Sequence, residues 1–301
     1  MPDQRQHAVD ALRDLLTVEE IDTDLCRGAP AADGPKRVFG GQVVAQALSA
    51  AALSVGKEQQ AHSLHAYFLR AGDPTRPILY RVARDFDGGS FSNRRVVATQ
   101  GGVPILNLAA SFHRREEGFS HAAAIPQVLP PEACPDLASA LSASGKPMPP
   151  AMLERLAAFD VHPGPPSTDG DMPRQYMWFR LARPMAADAA LQRVVLAYAS
   201  DFALVTTAVL PHPVNFFSPT LQAASLDHAL WFHSSPPVDE WLLYAMDSPW
   251  SGHARGFARG SIFTRGGVLV ASVAQEGLAR LRPGHGHGDG DGKPTGSPPT
   301  I

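Results

Sequence analysis

The chain repeats one pattern of residues, and this duplication constrains its fold more than any other feature. A segment from Ser63 to Ser111 returns as a segment from Ser225 to Gln275. Matching residues lie 164 positions apart in three pairs: Phe68 with Phe232, Tyr80 with Tyr244, and Arg95 with Arg259. Apolar residues recur at helical spacing before each copy, which indicates a helix there. The sequence thus predicts one structural unit present twice, and differences between the copies point to chemistry.

Each copy is predicted to contain a central helix followed by antiparallel strands. The first copy predicts a helix over 39–53 and strands over 62–69, 77–85, 91–100 and 103–113. The second predicts a helix over 201–210 and strands over 175–182, 222–233, 240–248, 254–264 and 267–280. Glycine pairs mark the hairpin turns. Because both helices are rich in small residues, a curved sheet can wrap closely around them. The expected fold is α+β, with one continuous antiparallel sheet around two central helices.

Composition shifts divide the chain into four predicted segments. We expect a first repeat over 1–120, a connection over 121–173, a second repeat with the catalytic residues over 174–282, and a disordered tail over 283–301. The stretch 126–173 holds 11 of the 28 prolines, and short helices are expected in it at 137–141 and 152–159. The tail consists mainly of Gly, Pro, Asp and Ser, which disfavour a packed core.

Charge and cysteine content exclude several classes of function. A formal net charge of -3 argues against nucleic acid as a partner. The uncharged stretch 38–56 contains glutamines and glycines and has helical periodicity, so it predicts a buried helix and no membrane insertion. Cys26 and Cys134 lack the spacing of zinc ligands and are expected to be unpaired thiols. We therefore expect a cytoplasmic protein that uses no metal and no cofactor.

The two copies differ at positions that carry polar side chains. Helix register aligns Gly40 with Asp201, so a carboxylate replaces a glycine at the first turn of one central helix. Ser225 follows 24 residues later at the start of a strand, and Gln275 replaces Ser111 near the end of the last strand. Separately, these residues could cap a helix, satisfy backbone groups or face solvent. Together, a carboxylate, a hydroxyl and an amide could orient one water molecule, with Asp201 taking its proton.

The first copy offers a complementary feature in Gly40 and Gly41. Unpaired amides at a helix N-terminus could accept a developing oxyanion, and a tight turn with close packing is the alternative explanation. The chain contains no GxSxG, P-loop or GxGxxG motif. His228 and His233 are five positions apart in a predicted strand and should point to opposite faces. Hydrolysis by an oriented water without a metal is the chemistry that these residues favour.

Several longer motifs carry a resemblance to a known family. They are RVFGGQVV at 37–44, YASD at 198–201, LDHALWFH at 226–233 and AQEG at 274–277. In these motifs the chain resembles the type II acyl-CoA thioesterases, the TesB-like double hot-dog enzymes, over residues 8–280. The resemblance implies hydrolysis of fatty acyl-CoA to free acid and CoA, with Asp201, Ser225 and Gln275 as the residues that orient water. It also implies an acyl-CoA substrate and association of the chains into homo-oligomers.

The CoA phosphates require cations, and four strand arginines are candidates for this role. They are Arg94, Arg95, Arg255 and Arg259. For each of them, an ordinary exposed position on a strand is the alternative explanation. The acyl chain requires an apolar channel, which we expect between the central helices and the proline-rich connection.

Two other functions are compatible with the sequence. A hot-dog enoyl-CoA hydratase would use an Asp–His pair, and His212 and His228 are available for it. A non-catalytic acyl-CoA binding module would bind the same ligand without turnover.

Overall fold

The computed structural model describes residues 3–31, 37–145, 148–165, 167–169, 172–214, 216–235 and 237–282. The predicted disordered tail, 283–301, lies outside the described residues. The helices are α1 (Gln4–Leu16), α2 (Gly40–Leu53), α3 (Leu137–Ser144), α4 (Pro150–Leu156), α5 (Ala189–Ser200) and α6 (Leu204–Thr207). The strands are β1 (Glu19–Asp22), β2 (Leu25–Gly28), β3 (Gln59–Phe68), β4 (Ile78–Asp87), β5 (Phe91–Gln100), β6 (Val103–Arg114), β7 (Phe159–Pro163), β8 (Ser167–Asp169), β9 (Met172–Leu181), β10 (Leu221–Ser225), β11 (Asp227–Phe232), β12 (Leu242–Gly252), β13 (Arg255–Thr264) and β14 (Leu269–Leu281).

All the strands belong to one antiparallel sheet. Its path is β1-β2-β4-β5-β6-β3-β11-β14-β13-β12-β9-β7, with β10 paired to β14 and β8 to β9. β3 and β11 join the two copies at the centre, where Ala229 lies opposite His65. Strands β6, β5 and β4 on one side of this junction are matched by β14, β13 and β12 on the other. The predicted double hot-dog architecture, with two copies sharing a continuous sheet, is confirmed.

Helix α2 is buried on nearly all sides, as its uncharged sequence predicts. Its small residues allow contacts with β3, β4, β5 and β6 on one side and with α5 on the other. Gln46, near the middle of the helix, is fully buried, and its amide donates to the carbonyl of Leu15 at 2.6 Å. Its Oε1 accepts a hydrogen bond from the hydroxyl of Tyr80 at 2.7 Å. A buried amide is tolerated there because its hydrogen bonds are made. No helix in the described ranges is long and apolar enough to cross a bilayer.

The prediction for the central helix of the second copy is wrong. The long helix α5 ends at Ser200, just before helix 201–210 was expected to begin, and within that predicted range only the single turn α6 is helical. The signal that favours α5 is Asp188, whose side chain accepts a hydrogen bond from the amide of Leu191 and caps the helix. Asp201 therefore follows a helix, and no side chain caps α6. Asp201 is therefore not explained as a cap of the helix that follows it.

The second copy departs from the first because its central helix is divided into α5 and α6. Helix α6 contacts β12, β13 and β14, the strands equivalent to those beneath α2, whereas α5 packs against α2 itself. The predicted strand 222–233 also divides, at Leu226, so Ser225 ends β10 and does not begin a strand. The division places Asp201 between two helices at the centre of the molecule.

The proline-rich connection contributes ordered elements. α3 and α4 overlap the two short helices predicted at 137–141 and 152–159, and β7 pairs with β9 at one end of the sheet. The indole of Trp178 donates to the carbonyl of Leu129 at 2.8 Å, which ties the connection to the second copy. Cys26 and Cys134 are both buried and unpaired, as expected. The division of the chain at residues 120 and 173 remains a prediction.

Candidate active site

Asp201 lies at the centre of the molecule against the N-terminus of α2. Its side chain is only 4% exposed, and it accepts a hydrogen bond from the backbone amide of Gly41. A Cβ atom on Gly40 would lie 2.7 Å from Oδ2 of Asp201 and 3.0 Å from the ring of Phe68. The carboxylate can therefore approach this helix terminus because residue 40 has no side chain.

Gln275 holds the other side of Asp201 and links it to His228. Nε2 of Gln275 donates to Oδ1 of Asp201 at 2.6 Å and lies 3.1 Å from Nδ1 of His228. The sheet explains this contact, because Ala229 of β11 is paired with Ala274 of β14. The residues on either side of this pair, His228 and Gln275, are cross-strand neighbours on the buried face.

Ser200 connects this cluster to the end of α5. Its hydroxyl donates to the carbonyl of Ala197 and lies 2.8 Å from Nε2 of His228. The carbonyl of Ser200 accepts a hydrogen bond from the hydroxyl of Tyr244 at 2.7 Å. Both buried side chains, His228 and Tyr244, thus hold the residue that precedes Asp201.

Burial separates the protonation states of Asp201 and His228. Desolvation raises the pKa of Asp201 from 3.8 to about 6, although hydrogen bonds from Gln275 and Gly41 and the charge of Arg155 act in the opposite direction. Desolvation lowers the pKa of His228 from 6.5 to about 4. At neutral pH the pair therefore consists of an ionised carboxylate and a neutral imidazole.

Asp201 and Ser225 line the same cavity, which has a volume of about 450 Å³. Its wall is mainly apolar and is formed by Val43, Phe68, Leu69, Ile105, Met152, Leu156, Phe202, Val205 and Phe216. Arg37, Arg70 and Arg155 are the cations that line it, and Gly40 also belongs to the wall. The cavity combines a carboxylate, an apolar wall and nearby positive charge, which suits a ligand with an apolar chain and an anionic part.

Two family models match the chain. The model described as acyl-CoA thioesterase matches residues 153–278, and the model described as acyl-CoA thioesterase N-terminal domain matches residues 29–113. Acyl-coenzyme A thioesterase 8 of Homo sapiens is 40% identical to this chain, and the similarity covers 89% of this chain and 88% of that protein. This chain belongs to the type II acyl-CoA thioesterases.

A second relative and a solved structure support the same family. Acyl-CoA thioesterase 2 of Haemophilus influenzae is 38% identical, and the similarity covers 88% of this chain and 96% of that protein. A crystal structure of the acyl-CoA thioesterase II TesB2 from Mycobacterium marinum is 38% identical and superposes with a TM-score of 0.79. The superposition covers 91% of this chain and all of the other. The chain is therefore a hydrolase that acts on acyl-CoA thioesters.

The environment of the histidines argues against the hydratase alternative. His228 is fully buried and is not among the residues of the thioesterase cavity. His212 is exposed and lies 2.7 Å from the hydroxyl of Ser251. His233 is exposed while His228 is buried, so the two point to opposite faces as predicted. No Asp–His pair therefore faces this cavity among the described residues.

Arg94 does not have the position expected of a residue that binds phosphate. It is 1% exposed, and its five N–H groups donate to Ser54, Asp87 and the carbonyls of Phe86 and Asn93. Two of these bonds go to the hydroxyl and the carbonyl of Ser54, which ends α2. This position does not support the predicted role of Arg94 in binding phosphate, because the side chain faces inward and caps the end of the central helix.

The other three predicted arginines lie on the surface, away from the cavity. Arg95 pairs with Asp85, Arg259 with Asp247, and Arg255 with Glu276. None of them lines the thioesterase cavity. Arg37 and Arg70, which do line it, were not singled out from the sequence although Arg37 opens the first family motif. Proximity to the motif glycines was the signal that could have identified Arg37.

The two glycines of the predicted oxyanion site differ in the structure. The amide of Gly41 donates to the Asp201 carboxylate, so it holds the acid rather than a substrate oxygen. Gly40 lines the cavity and stays a predicted oxyanion donor. The contacts of His228 with Gln275 and of Tyr244 with Ser200 were not predictable, because neither follows from spacing along the chain; the sequence suggested His228 only for the hydratase alternative.

Proposed function

We propose that Asp201 is the general base of this thioesterase and activates water for attack on the thioester of a fatty acyl-CoA. The observation that carries the proposal is the placement of Asp201, the one acidic residue among the described residues that line the cavity. With a pKa of about 6, the carboxylate is ionised at neutral pH and is a stronger base than an exposed aspartate.

The proposed reaction needs no covalent intermediate. The water oxygen bonds to the carbonyl carbon of the thioester while Oδ2 of Asp201 takes one water proton. The carbon–sulfur bond then breaks, and the CoA thiolate leaves with the bonding electrons and recovers the proton from Asp201. Oδ2 is the oxygen for this step because Oδ1 already accepts from Gln275, and Oδ2 lies beside the cavity residue Gly40.

Ser225 and Gln275 are proposed to direct the water. Ser225 lines the same cavity as Asp201 and carries a hydroxyl that can hydrogen-bond to water. Oε1 of Gln275 is buried and accepts no hydrogen bond from a described residue, whereas its Nε2 is committed to Asp201 and His228. A buried acceptor of this kind suits the second proton of a water held by Asp201.

The substrate is proposed to bind with its acyl chain along the apolar wall and its CoA part toward solvent. Met152 and Leu156 of α4 give the connection a share of that wall. Arg37 and Arg70 are exposed cations beside the cavity and are the preferred partners of the CoA phosphates.

Release of free thiol from acyl-CoAs of two to eighteen carbons tests the assignment of the base. We expect Asp201→Asn to lower turnover by about 10²–10⁴-fold, because the water loses its proton acceptor. Asp85→Asn, which changes an exposed aspartate on β4, is the matched control and should keep full activity. Full turnover in a folded Asp201→Asn protein would show that another group acts as the base.

We also propose that the chains form homo-oligomers through the outer face of the sheet centre. Tyr67 of β3 and Trp231 of β11 are 60% and 36% exposed on either side of the junction. Exposed aromatic residues on the outer face of a sheet favour an interface with a second copy. Light scattering should show a mass above the 32.1 kDa of one chain, and the double substitution Tyr67→Ser, Trp231→Ser should lower this mass.

A cytoplasmic location stays a prediction.

A further inference from the structure

We propose that His228 is a positioning residue that fixes the orientation of the Gln275 amide, with Nε2 toward Asp201 and Oε1 toward the attacking water. The inference rests on the proposed function, because it concerns the group that directs the water. Neither His228 nor Gln275 is among the residues that line the cavity, but Gln275 donates directly to Asp201, whereas His228 Nδ1 stays 3.8 Å from Oδ1, so the effect of His228 on Asp201 must pass through Gln275.

The donors and acceptors around Gln275 allow one arrangement. An ionised carboxylate only accepts, so the amide atom 2.6 Å from Oδ1 of Asp201 must be the nitrogen. The second N–H of that nitrogen points to Nδ1 of His228, at 3.1 Å, and Nδ1 must therefore be an acceptor. This requires a neutral imidazole that carries its proton on Nε2.

The opposite side of the imidazole agrees with this tautomer. Nε2 lies 2.8 Å from the hydroxyl of Ser200, and that hydroxyl gives its own proton to the carbonyl of Ala197. Ser200 is therefore an acceptor for Nε2–H. The hydrogen bonds run in one direction, from His228 through Ser200 to the backbone of α5, and leave Nδ1 free to accept from Gln275.

The role of His228 becomes critical when Asp201 has taken the proton from water. A protonated Asp201 no longer requires a donor at Oδ1. By itself it would therefore allow the Gln275 amide to rotate so that its oxygen and nitrogen exchange positions. Turning would bring Oε1 against the lone pair of Nδ1, which is unfavourable in a buried site. His228 therefore holds Gln275 in place in both protonation states of Asp201, and the proton remains on the cavity side, where the thiolate recovers it.

The surroundings keep His228 neutral while Asp201 is ionised. Gln275 of β14, Ser200 of α5 and Asp201 contact its ring, and Asp201 Oδ1 lies 3.8 Å from Nδ1. Arg155 of α4, Tyr198 and Tyr244 are the other ionisable groups that interact electrostatically with Asp201. Burial holds the pKa of His228 at about 4, below the pKa of about 6 of Asp201.

Two substitutions separate positioning from packing. His228→Leu fills the site but offers no acceptor, whereas His228→Asn places an amide oxygen near the position of Nδ1. We expect His228→Leu to lower kcat by about 10²-fold with little change in KM, and His228→Asn to recover most of that loss. The acid limb of kcat/KM in His228→Leu should move to higher pH, because a loosened Gln275 no longer lowers the pKa of Asp201.

A second background tests whether the effect passes through Gln275. In a Gln275→Leu protein, which should itself be impaired, adding His228→Leu should cause no further loss of kcat. Multiplying losses, or equal losses in His228→Leu and His228→Asn, would overturn the inference. If His228→Leu kept wild-type turnover while Gln275→Leu was impaired, the role of His228 would be wrong but the proposed water site would stand. If Gln275→Leu kept wild-type turnover, both the role of His228 and the proposed water site would be wrong.

A measurement on the unaltered enzyme does not depend on how the variants fold. Nitrogen-15 shifts of the His228 ring should report a neutral imidazole protonated on Nε2 between about pH 5 and pH 8. A ring protonated on Nδ1 in this range would contradict the proposed arrangement.

Discussion

At the residue scale, the site depends on two glycines, Gly40 and Gly41, that allow the Asp201 carboxylate to approach the N-terminus of α2. Asp201 reaches the N-terminus of α2 because Gly40 has no Cβ, and it accepts the amide of Gly41. This contact and the hydrogen bond from Gln275 stabilise a carboxylate that burial would otherwise protonate. The carboxylate is thus held in position but remains basic.

Gly40→Ala tests this close approach. A Cβ atom 2.7 Å from Oδ2 of Asp201 must displace the carboxylate or Phe68, so we expect turnover to fall by about 10²-fold in a folded protein. Gly89→Ala is the matched control, because a Cβ there meets no atom within 4 Å. Equal activity of the two variants in the thiol-release assay would mean that Asp201 does not need its present position.

Comparison of the copies predicted Asp201, Ser225 and Gln275, and the structure shows two relations among them. Gln275 is hydrogen-bonded to Asp201, and Ser225 shares its cavity, while their catalytic roles remain proposals. The arginines were not predictable in the same way. Arg94 and Arg95 are adjacent on β5, and only the pleat of the folded strand decides which of them is buried.

At the element scale, the long strands of the two repeats were predictable, whereas the short strands β1, β2, β7 and β8, the division of strand 222–233 and the second central helix were not. Strand positions follow from the repeat and from alternating burial, which both copies share. The helix was placed by analogy with α2, but the second copy divides this element into α5 and α6. The analogy failed because the junction between the two helices accommodates Asp201, a local requirement that the first copy does not have.

Arg94 illustrates how an element is stabilised from a neighbouring strand. Arg94→Met would remove the donors that satisfy the carbonyl end of α2, so we expect the free energy of unfolding to fall by about 3 kcal/mol. Arg95→Met, at an exposed ion pair with Asp85, should change it by less than about 1 kcal/mol. Denaturant unfolding measures both, and KM for acyl-CoA should be unchanged in each. A raised KM in Arg94→Met without lost stability would restore the phosphate-binding prediction.

At the scale of the whole molecule, two buried groups with opposite pKa shifts affect stability in opposite directions. Asp201 has a folded pKa of about 6, above 3.8, so its contribution to stability falls as pH rises from about 4 to about 6. His228 has a folded pKa of about 4, below 6.5, so its contribution rises as pH rises from about 4 to about 6.5. Each shift of about two units corresponds to about 3 kcal/mol. The two contributions nearly cancel in the wild-type enzyme.

Single substitutions should reveal each contribution. In Asp201→Asn only the histidine shift remains, so the free energy of unfolding should drop by about 3 kcal/mol relative to wild type between pH 7 and pH 4. In His228→Asn only the aspartate shift remains, and stability relative to wild type should change by a similar amount with the opposite sign. Urea unfolding at intervals of pH measures both slopes, and the double variant Asp201→Asn, His228→Asn should return to the wild-type slope. If the free energy of unfolding depended on pH in the same way in all four proteins, the pKa values of Asp201 and His228 would not be shifted by burial. The folded protein would then gain or lose no stability by keeping Asp201 ionised and His228 neutral.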